Sequence, residues 1–272
     1  LKLVCDALFA NGTNQIIWHG FPFNKVGRSD NWFYTTCQLS TDPAHNLTGD
    51  ELTRFNDYMT KVSGYMRRGT NYTDMAVYMP LEDSWMKGAY PEEVTKMMAW
   101  ALGEYELRYI KTPEEYKGMQ PMWVNGKFLS DAEYSDGVLH CGDAQFSVLY
   151  LDVDYLEYSS LQSIIRLAKA GLPVFLGRTP SEPGVVKHQD YSALLDELKG
   201  IPSVSSDPSV IASKPLVEGK DLPDFWCRQD GDTYFIFFAN PMSMKVTYPM
   251  DYCFAFTDKG STREITVNRQ VR

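Results

Sequence analysis

Residues 146–184 read FSVLYLDVDYLEYSSLQSIIRLAKAGLPVFLGRTPSEPG. Val148, Leu149, Tyr150 and Leu151 form a short apolar run of the kind that is covered on both faces of a sheet. Ser159 offers an N-cap oxygen, and Gln162 follows three residues later, as a capping box requires. Leu161, Ile164, Ile165, Leu167 and Ala168 then recur at helical spacing, and Gly171 stands where a helix ends in a left-handed residue. Pro173 to Leu176 is the next apolar strand. Strand, helix, strand at this spacing predicts a parallel crossover unit, so the chain contains an α/β layer.

The same alternation extends on both sides. Thr48 and Glu51 make a capping box before a stripe of Leu52, Phe55, Met59, Val62 and Met66, with Gly69 as the stop. Met75 to Met79 predicts a buried strand closed by Pro80, and the loop LEDSW follows its carboxyl end. Glu82 and Asp83 in that loop stand where α/β sheets bind ligands, but adjacent acids point apart, so helix capping or solvent exposure is the expected role. Pro91 opens a helix with an apolar face of Val94, Met97, Met98, Ala101, Leu102 and Tyr105. Asp136-Gly137 predicts a tight turn between strands 132–134 and 138–140. Asp190 caps a helix over 191–198 that ends at Gly200.

Residues 1–12 predict a helix with a stripe of Leu1, Val4 and Leu8, and Gln15 to Trp18 a short buried strand ending in His19-Gly20. A histidine just past a strand end sits where barrels and open sheets bind ligands, or is simply a core histidine. Residues 201–223 are rich in Ser, Pro and Asp and read as a linker. Beyond them, runs at 225–228, 234–239, 244–247, 252–256 and 264–267 are separated by turn residues and suggest an antiparallel sandwich.

Composition narrows the function. With 272 residues the chain can bury a large core. A net charge of −9 opposes nucleic acid binding and suits a neutral or cationic ligand. No apolar run approaches the roughly 20 residues that span a bilayer, so no membrane is expected. No signal peptide is visible and no initiator Met is present, so the chain is expected to be cut from something longer. The five cysteines lack CxxC spacing, which predicts free thiols and neither a structural metal nor a cofactor. The loop Gly177-Arg178-Thr179-Pro180 has neither nucleotide-binding glycine pattern, and no nucleophile elbow occurs.

Four segments, in order, resemble a known family. ANGTNQIIWHGFPFN resembles the last barrel strand of alpha-L-rhamnosidase-type glycoside hydrolases (family 106 and relatives). RFNDYMTKVSGYMRRGTNYTDMAVYMP resembles the helix and strand after the barrel, DGVLHCGDAQFSVLYLDVD with LPVFLGRTP their accessory domain, and PDFWCRQDGDTYFIFFANP the start of their β-sandwich. The resemblance implies an α/β chain: a TIM-barrel remnant over 1–30, a flavodoxin-like or amidotransferase-like parallel sheet domain over 31–200, the linker over 201–223, and a β-sandwich segment over 224–272. It implies a carbohydrate partner, contacted by His19 with Trp18 and Phe21, and a secreted or periplasmic location. The family's catalytic carboxylates lie on earlier barrel strands, so the chain is expected to be inactive alone. The alternatives are a non-catalytic carbohydrate-binding or homo-oligomerisation module and, third, a small-molecule-binding α/β protein.

Overall fold

The computed structural model describes residues 2–18, 49–87, 112–239 and 263–269. In chain order these form α1 (Lys2–Phe9), α2 (Gly49–Met66), β1 (Thr70–Asn71), β2 (Met75–Tyr78), α3 (Leu81–Lys87), β3 (Met122–Val124), α4 (Gly126–Asp131), β4 (Glu133–Ser135), β5 (Val138–Cys141), β6 (Ala144–Phe146) and β7 (Val148–Leu151). There follow α5 (Tyr158–Lys169), β8 (Val174–Leu176), α6 (Tyr191–Gly200), β9 (Val204–Ser205), β10 (Val217–Glu218), β11 (Asp224–Asp230), β12 (Thr233–Ala239) and β13 (Thr266–Val267). They divide into two units, one of Leu1–Thr70 with Pro223–Thr262, the other of Asn71–Leu222 with Arg263–Arg272.

The second unit is built on a five-stranded sheet in the order β3-β2-β7-β8-β9, with every pair parallel. Counting only its own strands along the chain, the order is second, first, third, fourth, fifth. All four residues of β2 are buried, as a strand covered on both faces requires. The apolar face of α5 reads as its spacing predicts: Leu161, Ile164, Ile165, Leu167 and Ala168 all join the main core with Leu149, Leu151 and Val174. Gly171 closes the helix at φ 108°. The N-cap is Glu157 rather than Ser159, so α5 begins without the expected capping box.

Three expectations differ here. LEDSW is the start of a helix, not a loop: Pro80 precedes Leu81 at the helix entry and Glu82 and Asp83 occupy its first turn, where acids suit the positive end of the dipole. Residues 201–222 are not a plain linker. Val204–Ser205 pairs parallel with β8 as the fifth strand, and Val217–Glu218 pairs antiparallel with Thr266–Val267. Short strands of two residues leave no periodicity to detect. The turn at Asp136-Gly137 is present, but β5 runs on to pair with a third strand, β6, which the Gly142-Asp143 turn had hidden.

In the first unit, α1 and α2 pack with the antiparallel hairpin of β11 and β12 around Cys5, Phe9, Met59, Val62 and Met66. The α1 stripe is shifted from the expected one. Cys5 and Phe9 are buried, whereas Val4 and Leu8 are exposed, because two apolar rows lie side by side on this short helix and only one faces the core. Gln15 to Trp18 forms no strand, and Ile17 is 84% exposed, so the expected buried strand is corrected; Ile16 and Trp18 flank the cluster instead. The α2 stripe and its stop hold. Gly69 has φ 52°, and Arg228 donates to the carbonyls of Arg68 and Gly69 at 2.9 and 2.6 Å, satisfying groups that the helix end leaves open. The helix over 91–105 and the strands at 244–247 and 252–256 lie outside the described residues.

Candidate functional site

The carboxyl ends of β2, β3 and β7 converge on one crevice of about 410 Å³. From β2 and α3 come Tyr78, Glu82 and Trp85; from the end of β3 and α4, Asn125, Gly126, Lys127 and Ser130; from the approach to α5, Glu157, Ser159 and Ser163. The crevice therefore lies where the strand order reverses, between the first strand and the third.

Its floor is a buried polar network. Tyr78 donates to Glu82 Oε1 at 2.7 Å and lies 3.0 Å from Ser160 Oγ. The phenol has one proton, committed to the carboxylate, so the serine completes the second contact. Burial, followed by the Glu82 charge, pushes the Tyr78 phenol far above its ordinary value. Burial likewise raises Glu82, and the nearby Glu157 charge adds to this. Asp83, one residue on, turns to the loop after β7: its carboxylate accepts from Asp154 N at 3.0 Å to each oxygen and from Tyr155 N at 2.7 Å. Both acids are buried, so the expected solvent exposure is corrected. Arg178, after β8, donates to Asp152 Oδ1 at 2.7 Å and to the Asp152 carbonyl at 2.6 Å, and also pairs with Asp154. These bonds tie the loops behind the crevice together.

The rim is different. Asn125 Oδ1 caps α4 by accepting from Phe128 N, but its Nδ2 has no partner among the described residues. Lys127 pairs with Asp131 at 2.6 Å, and Ser130 and Ser163 are used locally. The Glu157 carboxylate makes no capping bond to α5. Trp85 is 65% exposed. The site thus pairs a fixed floor with an indole, an amide, a hydroxyl and a carboxylate that are open to a ligand.

Gly126 is what lets the α4 entry reach this network. A Cβ there would stand 2.2 Å from Ser160 Oγ. Gly126→Ala should cost about 1–3 kcal/mol through overpacking. Adding Ser160→Ala removes the offending oxygen and should recover most of the loss in a double-mutant cycle by urea unfolding; strictly additive losses would mean that the collision is not the cause.

Glu82 gives a pH signature. Its folded value is raised, so its contribution to stability is fully present below the unfolded value and is lost as pH rises through the folded one. Glu82→Gln should therefore flatten that part of the pH–stability curve, with the variant gaining on the wild type as pH climbs above the ordinary glutamate range. Thermal melts across the acidic to neutral range test this; parallel curves would rule it out.

Of the residues picked from sequence, Trp18 lies in the first unit, where its ring sits 5.9 Å from Phe55 at 43°, a packing contact. His19 and Phe21 lie outside the described residues. Sequence reasoning flagged the position of Glu82 and Asp83 but passed over Tyr78, Trp85, Asn125 and Glu157. The strand-end rule applied to β2 marked LEDSW, and an Asn-Gly pair before a short helix was the available sign for Asn125. No disulfide joins Cys5, Cys141 or Cys227. Among the described residues no group of three ligating side chains could hold a metal, and no helix is long and apolar enough to cross a membrane. Comparison with protein-family models gives no match, and comparison with curated proteins gives none either.

Proposed function

We propose that the parallel-sheet unit is a non-catalytic carbohydrate-binding module, in a chain of the alpha-L-rhamnosidase-like glycoside hydrolase kind that its sequence resembles. The observation that supports this is the composition of the crevice. An exposed indole, Trp85, offers a flat face to the C–H side of a sugar ring, while Asn125, Ser159 and Glu157 offer partners for its hydroxyls. The volume lies within the roughly 300–1,000 Å³ of small-molecule sites. The second-first-third-fourth-fifth strand order is that of flavodoxin-like sheets, which bind ligands at this reversal point. The amidotransferase-like alternative wants a nucleophile at the place of Arg178, whose guanidinium is held by Asp152 and Asp154. We read the β11–β12 hairpin as the start of a β-sandwich, and His19 with Phe21 as a further sugar contact.

Binding, not cleavage, is the activity that fits. A glycosidase needs two working carboxyls about 5–9.5 Å apart. Glu82 is buried and bonded to Tyr78, which leaves Glu157 as the open carboxylate of the crevice among the described residues. Isothermal titration against a panel of monosaccharides should give binding in the millimolar range, on the order of 4 kcal/mol, that Trp85→Ala weakens about tenfold. Nitrophenyl glycosides should not turn over. A chain that binds no sugar, or that hydrolyses one, overturns the reading.

A further inference from the structure

We propose that the crevice selects a cationic amino sugar, with the Glu157 carboxylate as counter-ion to a protonated ring-substituent amine. This rests on the carbohydrate reading above and names the ligand class within it. Among the described residues that line the crevice, Glu82 and Glu157 carry carboxylates and Lys127 carries the one ammonium. That ammonium is 2.6 Å from Asp131, so its charge is offset where it stands. The balance at the rim is negative, in a chain of net charge −9.

Glu157 is the group placed to use that balance. It stands at the N-cap of α5, yet its side chain does not bond the helix N–H groups that such a residue ordinarily serves. Among the described residues its carboxylate has no partner, and its charge is felt at both Tyr78 and Glu82. Glu82 cannot play the same part, because it is buried and occupied by the Tyr78 hydroxyl. A divalent cation is poorly served, since no three ligating side chains converge among the described residues. An organic ammonium needs only one carboxylate, and the indole, amide and hydroxyl beside it suit a ring bearing hydroxyls. A uronic acid would bring a carboxylate up to Glu157 and be repelled.

The test compares four probes on the whole chain by isothermal titration at about pH 6, below the ordinary range of an α-amine: glucose, glucosamine, N-acetylglucosamine and glucuronic acid. Glucosamine should bind at least about tenfold more tightly than glucose or its N-acetyl form, the size of a hydrogen bond to a charged group. Glucuronic acid should bind more weakly than glucose. Glu157→Gln should bring the glucosamine-to-glucose ratio to about one, since the amide keeps the shape and loses the charge. Equal binding of glucose and glucosamine, tighter binding of glucuronic acid, or a preference that survives Glu157→Gln overturns the amino-sugar inference and leaves the carbohydrate reading standing. Failure of all four probes to bind overturns both.

Discussion

Leu149→Ala is expected to lower the stability of the parallel-sheet unit by about 2–5 kcal/mol. Leu149 sits in the middle of β7, the third of five strands, with Ala76 of β2 on one side and Val174 of β8 on the other. It is fully buried, and its neighbours in the core include Ala76, Leu151, Leu161 and Ile164. Truncation removes the transfer energy of the side chain and leaves a hole that two flanking parallel strands cannot easily close. The backbone frame resists collapse, because Leu149 N is bonded to the Pro173 carbonyl at 2.9 Å and the register is fixed on both sides. Val185→Ala is the matched control: Val185 is 97% exposed and should change stability by no more than about 0.5 kcal/mol. Urea unfolding followed by far-UV circular dichroism measures both. A loss below 1 kcal/mol at Leu149 would remove β7 from the centre of the core.

The segment around Leu149 also explains how much of the fold was legible. The run around Leu149 announces itself because a strand buried on both faces must be apolar at every position, and the helix after it must be apolar at every third or fourth. Long-period signals of this kind yielded β2, β7, β8, α2, α5 and α6. Elements without room for a period were lost. Val204–Ser205 is a two-residue strand whose place is fixed by hydrogen bonds to β8, and nothing in Ser-Val-Ser-Ser encodes that partner. On α1 the pattern was present twice, in Val4–Leu8 and in Cys5–Phe9, and only tertiary packing against Met59 and Met66 decides between them.

The site was less legible for a related reason. Its residues come from three segments separated by some forty and thirty positions, and each segment taken alone looks structural. Tyr78 reads as the end of a strand, Asn125 as a cap and Glu157 as a loop acid. They become a site only when the parallel order brings the three carboxyl ends together. Glu82 and Asp83 are the one local hint. Adjacent acids do point apart: Glu82 faces Tyr78, and Asp83 faces the backbone of Asp154 and Tyr155. Each is nonetheless buried, and each does separate structural work.

That division predicts a large effect from Asp83→Ala, about 2–6 kcal/mol, from leaving two backbone donors without their acceptor at about 1–3 kcal/mol each. The carboxylate takes Asp154 N on both oxygens at 3.0 Å and Tyr155 N at 2.7 Å, on a segment half withdrawn from water. Those two amides fix the turn that leads from β7 to Glu157, so their release should also loosen the crevice rim. Asp83→Asn distinguishes a lost hydrogen bond from lost bulk. Its remaining oxygen, in the place of Oδ1, can still accept from Tyr155 N and from Asp154 N, but the amide NH₂ would stand opposite Asp154 N, donor against donor, and weaken that one bond. The asparagine variant should therefore fall between the wild type and alanine. Loss of bulk alone would instead make asparagine nearly neutral, because it is almost the same shape as aspartate. Urea unfolding gives the free energies, and amide hydrogen exchange at Asp154 and Tyr155 reports the site directly: both amides should exchange faster in Asp83→Ala, with Asp154 alone accelerated in Asp83→Asn. An alanine variant that loses less than 1 kcal/mol, with exchange at both amides unchanged, would show that the β7 turn holds its form without the Asp83 carboxylate.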